Sequence, residues 1–375
     1  NDISPDYYTG GTDNFVKCII SDFSTEEAIS FFRDLGVESV SKESGRIYPK
    51  TLMAKTVVDA LKNFLYHSEV IVNLNSKIFD ISINEDDKWY LKVEKQEADI
   101  FSGPFDYVII ATGGSYGIKK DEWSNGYSLV KSFGHEIKPL YPGITALNVE
   151  EKEFCKKLKG VKQRVAVSGM GKRMIDDILF TETGISGIAV FKISNYYLYE
   201  IRKHEIETDY HDSDYEIPIE IDFLPDNSAK NYAILWNNVA EIHPDWTVLE
   251  IISGAIYREI ASSILLKLNI DESRKGAIIS SKCFYKIAEA AKCIMLNVVE
   301  TNKHSHGQIT CGGLSTEYID AETLESKKVK TLFFTGEVLD VQGECGGYNL
   351  HWAWASAHCV AKSIAKYLGG NDVSY

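Results

Sequence analysis

The stretch that most constrains the fold is Thr335-Gly336-Glu337-Val338-Leu339-Asp340-Val341-Gln342-Gly343-Glu344-Cys345-Gly346-Gly347-Tyr348-Asn349-Leu350. Ahead of it, Leu332-Phe333-Phe334 reads as a buried strand, and after it an Ala-rich helix runs through Ala365. Ligands of open α/β sheets bind beyond the C-terminal ends of the strands, so Glu337 stands where a carboxylate accepts hydrogen bonds from sugar or ribityl hydroxyls. The Gly346-Gly347 pair lets backbone come close to a ligand at a helix start, whose free N–H groups and dipole favour anionic atoms. A pyrophosphate and the pyrimidine edge of a flavin both meet that description. A surface turn before an amphipathic helix is the plain alternative, and the pattern as a whole speaks against it.

A second strand end points the same way. The apolar run Phe105-Asp106-Tyr107-Val108-Ile109-Ile110-Ala111 is expected to be a strand buried on both faces, ending in Thr112-Gly113-Gly114. In flavoproteins with two dinucleotide folds such an end passes beneath the cofactor, where a larger side chain would collide. Before it, Ser24 and Glu27 form a capping box for a helix that carries Phe31, Phe32 and Leu35 and stops at Gly36. A second helix follows Pro49, with Met53, Val57, Val58 and Leu61 on one side. Residues 70–74, 78–83 and 89–93 read as short strands.

From about residue 140 the pattern turns β-rich, with strands expected at 164–167, 178–181, 188–193 and 217–223. A long helix capped by Pro244-Asp245 is expected over 248–268, and another over 287–298. Val165 to Met174 holds Gly169 and Gly171 but has Met at the third glycine position of a dinucleotide fingerprint, and a strand resumes by Ile178. Gly169 to Lys172 is therefore read as a hairpin turn.

Composition narrows the function. Net charge is −14, from 40 Lys and Arg against 54 Asp and Glu, so bulk attraction to nucleic acid or anionic lipid is not expected. No apolar run reaches the ~20 residues of a membrane span. The seven cysteines are scattered and never spaced as CxxC, which argues against a disulfide framework or zinc knuckle and for a cytoplasmic protein. His304-Ser305-His306 lacks a third ligand at metal-binding spacing and reads as a solvated loop, so no metal is expected. The acidic run from Glu205 to Glu220 reads as a loop or edge strand. No catalytic acid or base can be named from spacing.

Together with Gly45-Arg46-Ile47-Tyr48-Pro49, Leu179 to Gly187, Cys311-Gly312-Gly313-Leu314 and Leu324-Glu325-Ser326-Lys327, these motifs carry a resemblance. The chain resembles the BaiN/YhiN-like flavoprotein family, which includes aminoacetone oxidase and bile-acid 3-dehydro-Δ-reductase types, in colinear order over essentially its whole length. The resemblance implies an α/β fold: a Rossmann-like FAD-binding domain interrupted by an inserted β-rich domain and a helical domain. The FAD-binding domain would occupy 1–138 and 331–375, the β-rich insertion 139–225 with a return through 301–330, and the helical insertion 226–300. It implies FAD contacts from Ile78, Ala111, Thr112, Gly113, Gly114, Gly336, Glu337, Asp340, Gly343, Gly346, Gly347, Tyr348, Asn349 and Leu350. Arg46 is the candidate charge near the flavin or an anionic substrate.

The chain departs from the family pattern where Ile188 replaces Pro, where His351 replaces Gln, and in a shorter loop after Gly114. The resemblance also implies a strand–GxGxxG–helix ahead of the position matching Asn1. That segment is not in this sequence, so the chain is expected to be short of a complete flavoprotein by one βαβ unit, on the order of 30–40 residues. The function expected is FAD-dependent oxidation of an amine or reduction of an enone on a small-molecule substrate, with NAD(P)H as a candidate electron donor. The rival is a non-catalytic flavin-fold binding or scaffolding protein that has lost its phosphate-binding segment. The oligomeric state is not legible.

Overall fold

The structure is a computed structural model that describes residues 3–42, 45–94, 100–116, 126–208, 217–299 and 307–369. The chain divides into two compact units, Asn1–Pro142 with Gln308–Tyr375, and Gly143–Gly307.

The first unit is built around two parallel strands, Val108–Ile110 and Leu332–Phe334, paired in the register Val108 to Leu332 and Ile110 to Phe334. A parallel pair cannot be joined by a tight turn, and here more than two hundred residues separate its members. Val108, Ile110 and all three residues of the second strand are buried, among Phe15, Ile19, Trp89, Val130, Leu339 and Trp352. The Trp89 indole N–H donates to Thr331 Oγ1 at 2.8 Å, which satisfies the polar atom of a fully buried ring. Tyr8–Gly10 pairs antiparallel with Val341–Gly343, and a meander of Lys77–Ile83, Trp89–Glu94 and Ile100–Phe105 forms a separate sheet. The unit also has helices Asp13–Ser21, Thr25–Asp34, Ala54–His67, Gly126–Lys131 and Tyr348–Tyr367. The expected capping box is present: Ser24 Oγ accepts from Glu27 N–H, and the Glu27 carboxylate accepts from Ser24 N–H at 2.6 Å.

The second unit has its own core. Six strands pair antiparallel throughout, in the order Ile294–Val298, Ile217–Asp222, Lys162–Gly169, Lys172–Phe180, Gly184–Ser186, Leu147–Asn148. The hairpin expected at Gly169 to Lys172 is there: these two residues pair, and Met170 and Gly171 take φ of 52° and 71° as a two-residue primed turn requires.

Several expectations are corrected. Residues 188–193, expected as a strand, begin the helix Ile188–Thr208, whose buried Val190, Ile193, Tyr197 and Ile201 recur every three or four residues. A six-residue apolar run has no period of its own, and here Tyr197 and Ile201 supply the helical one. The long helix expected over 248–268 is two, Val248–Ile252 and Arg258–Lys267; the first is capped by Thr247 with Glu250 rather than by Pro244-Asp245. The helix expected over 287–298 is Ser281–Lys292, and Ile294–Val298 is a strand of the six-stranded sheet. Residues 70–74 form no strand, and Ile71 is 85% exposed. The strand expected at 105–111 spans only Val108–Ile110, since Phe105 ends the meander. It is buried on one face only: Val108 and Ile110 point into the core while Ile109, on the opposite face, is 45% exposed. The His304–His306 motif and the centre of the 205–220 acidic run lie outside the described residues.

Candidate functional site

Parallel pairing sets the two predicted strand ends side by side: Thr335 N–H donates to the Ile110 carbonyl at 3.1 Å, so chain leaves both strands toward the same edge. There Gly114 is buried against Thr310 and Glu337, and a Cβ at that position would overlap both Thr310 Oγ1 and Glu337 Oε1. Thr310, on the buried strand Ile309–Leu314, ties the corner together. Its N–H donates to Glu337 Oε1 at 2.7 Å, and its hydroxyl accepts from the N–H groups of Ser115 and Tyr116 at 2.7 and 2.9 Å. Gly113 and Gly336 turn with φ of 71° and 76°. A Cβ on Gly113 would meet nothing within 4 Å, so open space lies beside the glycine.

Burial raises the carboxyl groups of both Glu337 and Asp340 above their ordinary range; the Thr310 hydrogen bonds pull Glu337 back in part, and Gln342 does so for Asp340. The Gln342 amide donates to Asp340 Oδ1 and to the Gly312 carbonyl, both at 3.0 Å, which fixes the Asp340 carboxylate. Tyr127 adds a third group. Its hydroxyl is buried without a hydrogen-bond partner among the described residues, and its ionisation is opposed first by burial and then by the charges of Glu337 and Asp340. A buried phenol hydroxyl without a partner is a group that calls for one.

The glycine loop folds as expected onto the final helix. Gly347 is its N-cap with φ of 97°, and a Cβ there would meet nothing within 4 Å. Asn349 closes the loop from inside the helix: its amide oxygen accepts from Gly343 N–H at 2.8 Å and its amide nitrogen donates to the Gly343 carbonyl at 2.7 Å. Its side chain is engaged within the loop. Tyr348 stacks on Tyr7 with ring centroids 4.7 Å apart, and its carbonyl accepts from the Tyr8 hydroxyl. The loop is joined to the strand end by the Trp352 indole, which donates to the Gly336 carbonyl at 3.1 Å. Arg46 reaches the same loop, its Nε 3.8 Å from where a Gly346 Cβ would stand. Ala111, Thr112 and Leu350 are exposed, while Ile78 is half-buried in the separate meander sheet.

The structure thus brings Gly113, Gly114, Gly336 and Glu337 to one edge and places Arg46 beside Gly346. Sequence reasoning missed Thr310, Tyr127 and Gln342. Cys311-Gly312-Gly313 marked the neighbourhood of Thr310, but nothing in a lone Thr or Tyr announces contact with residues far away in the chain.

Paired parallel strand ends bearing glycines, a buried carboxylate and a glycine-capped helix fit a Rossmann-like domain. The chain belongs to the HI0933-like protein Rossmann domain family, which it matches over residues 1–363. This bears out the family resemblance and the α/β class drawn from the motifs, and agrees with the expectation of an enzyme. The 3-dehydro-bile acid delta(4,6)-reductase of Clostridium scindens is 28% identical over 367 residues, spanning 96% of this chain and 85% of that protein. Two proteins named ribosomal RNA dihydrouridine synthase, from Haemophilus influenzae and Escherichia coli, are 26% and 23% identical and span 97% and 96% of this chain. This chain covers 86% and 84% of their lengths. Adenylylsulfate reductase of Archaeoglobus fulgidus overlays with a TM-score of 0.34 at 11% identity, this chain covering 59% of that one, a likeness too low to carry an argument. No helix among the described residues is long and apolar enough to cross a membrane.

Proposed function

We propose that the chain is an FAD-dependent oxidoreductase acting on a small organic substrate, and that it works as a reductase fed by NAD(P)H. The observation that carries this reading is the corner formed by Gly113-Gly114, Gly336-Glu337 and Thr310, with the unsatisfied Tyr127 hydroxyl near it. Its chemistry fits a polyhydroxylated cofactor: Glu337 offers a fixed acceptor for hydroxyl groups, Tyr127 a buried O–H, and Gly113 room for close approach. When bound, the flavin supplies hydride transfer. The chain's own residues hold and orient it. Glu337 and Asp340 would take the ribityl and neighbouring hydroxyls, and the Gly346–Tyr348 backbone with Arg46 the electron-rich edge, where a helix start and a guanidinium both favour negative charge. The reductase direction is supported by the name of the Clostridium scindens relative. We place the protein in the cytoplasm.

The full gene product, purified, should absorb in the visible as a flavoprotein and should bleach anaerobically when NADH or NADPH is added. A colourless protein that cannot be reconstituted with FAD sinks the proposal, and a yellow protein that no pyridine nucleotide bleaches sinks the reductase direction.

The names of two relatives support a second reading, dihydrouridine synthesis on ribosomal RNA, against which stands the net charge of −14. Formation of dihydrouridine in ribosomal RNA incubated with the reduced protein would establish it.

A further inference from the structure

The second unit holds a surface groove of about 340 Å³ between the helices Lys152–Lys157 and Arg258–Lys267 and the strand Ile294–Val298. Its apolar part is made by Phe154, Ile264, Leu266 and Met295. Leu266 is 72% and Met295 46% exposed, so large apolar side chains here stand open to water. Phe154 is held in place, edge-on to the buried Phe180 with ring centroids 6.0 Å apart.

Two cations join that apolar surface. Lys157 and Lys267 line the groove, and neither ammonium group has an ion pair or hydrogen bond among the described residues, in a chain whose net charge is −14. Glu151 is the one carboxylate among the lining residues, and it is committed: its Oε2 accepts from Asn297 N–H at 3.0 Å.

That bond shows what the strand's outer edge takes. Glu150 N–H donates to the Asn297 carbonyl and Val299 N–H to the Asn148 carbonyl, so residues 297 and 299 turn their peptide groups away from the partner strand Ile217–Asp222. Peptide directions alternate along an antiparallel strand, which puts the N–H and carbonyl of Met295 on the same outer edge. Nothing among the described residues bonds to either. One outer N–H of this strand holds a carboxylate, and the next, at the groove, has no acceptor.

We propose that the groove binds an amphiphilic carboxylate. Its apolar chain lies on Phe154, Leu266 and Met295, and its carboxylate accepts from Met295 N–H and is balanced by Lys157 and Lys267. Two ammonium groups against one committed carboxylate favour an anion, and the apolar floor favours an anion with a chain over a bare ion. Every residue of this site belongs to the second unit, so the proposal does not rest on the flavin reading.

The test titrates octanoate into purified protein labelled with methyl-¹³C-methionine, with acetate as the head alone and 1-octanol as the chain alone. The chain has four methionines, and Met295→Leu identifies the Met295 methyl resonance. Octanoate should shift that resonance to saturation and acetate should leave it still. Octanol should bind roughly three- to tenfold more weakly than octanoate, the worth of two exposed ion pairs. The double variant Lys157→Ala with Lys267→Ala should erase the octanoate advantage and leave octanol binding unchanged. Both lysines are exposed, so the variant should fold, and the comparison of the three probes on wild type stands without it. A Met295 methyl that octanoate does not move, or that acetate moves as far, overturns the proposal. So does octanol binding as tightly as octanoate, or a double variant that keeps the wild-type preference.

Discussion

Glu337 shows how much of the site was legible one residue at a time. A Gly-Glu at a strand end is visible in sequence because its meaning is local: the strand stops, and the acid stands at the sheet's edge. Thr310, which fixes that acid, is not, because the bond joins residues 27 apart in the chain and the hydroxyl's other partners are nearly 200 away. Burial raises the Glu337 carboxyl, so its charging opposes folding. Its stabilising contribution is full below the ordinary carboxylate range and is lost as pH rises through the raised value. In protein stripped of cofactor, Glu337→Gln should therefore match wild type near pH 4 and exceed its thermal stability at about pH 8; as purified, the variant should carry less FAD than wild type. Melting curves across pH together with the flavin-to-protein absorbance ratio check both halves. Gly114→Ala tests the same corner by volume. Its Cβ would overlap Thr310 Oγ1 and Glu337 Oε1, and neither is the free end of a flexible side chain, so a cost of ~1–3 kcal/mol in urea unfolding and loss of bound flavin are expected.

At the scale of elements, sequence reading succeeded where a signal is complete within a few residues. The Ser24–Glu27 box, the Met170-Gly171 hairpin and the glycine-capped final helix all belong to that class. It failed where a short apolar run takes its state from its surroundings. Residues 188–193 are helical because Tyr197 and Ile201 extend their buried face at helical spacing, and Ile294–Val298 is a strand because Ile217–Asp222 pairs with it. The glycine loop also has a latch that no motif announces. Both bonds from Asn349 go to the buried Gly343, imitating a peptide pairing, so Asn349→Ala leaves a backbone N–H and carbonyl without partners. A loss of about 1–3 kcal/mol with an unchanged urea m-value is expected, read as a shift of the denaturation midpoint.

For the whole molecule, the distribution of apolar surface matters more than its amount. The first unit exposes Val70, Ile71, Val72, Leu74, Phe64, Tyr66 and Ile109, and the strand carrying Ile109 has a free edge among the described residues. Scattered exposed apolar residues are ordinary, but a run of four within five positions is an aggregation hazard. Light scattering of this 375-residue chain should rise with concentration, and the pair Ile71→Lys with Ile109→Lys should suppress that rise without lowering the melting temperature; equal scattering by both proteins would refute this. The antiparallel pairing of Tyr8–Gly10 with Val341–Gly343 has a different kind of consequence, in time rather than space. A strand made before the second unit waits for a partner more than 330 residues later, whereas the second unit is one continuous stretch, Gly143–Gly307. At ~5–20 residues per second the ribosome takes roughly 10–30 s over that stretch, so the interrupting unit can be folded before the unit it interrupts can close. The strand-end corner, which needs Thr310 and Glu337, then closes only after the second unit has been made, and any cofactor that lodges there meets a molecule whose other half is already native.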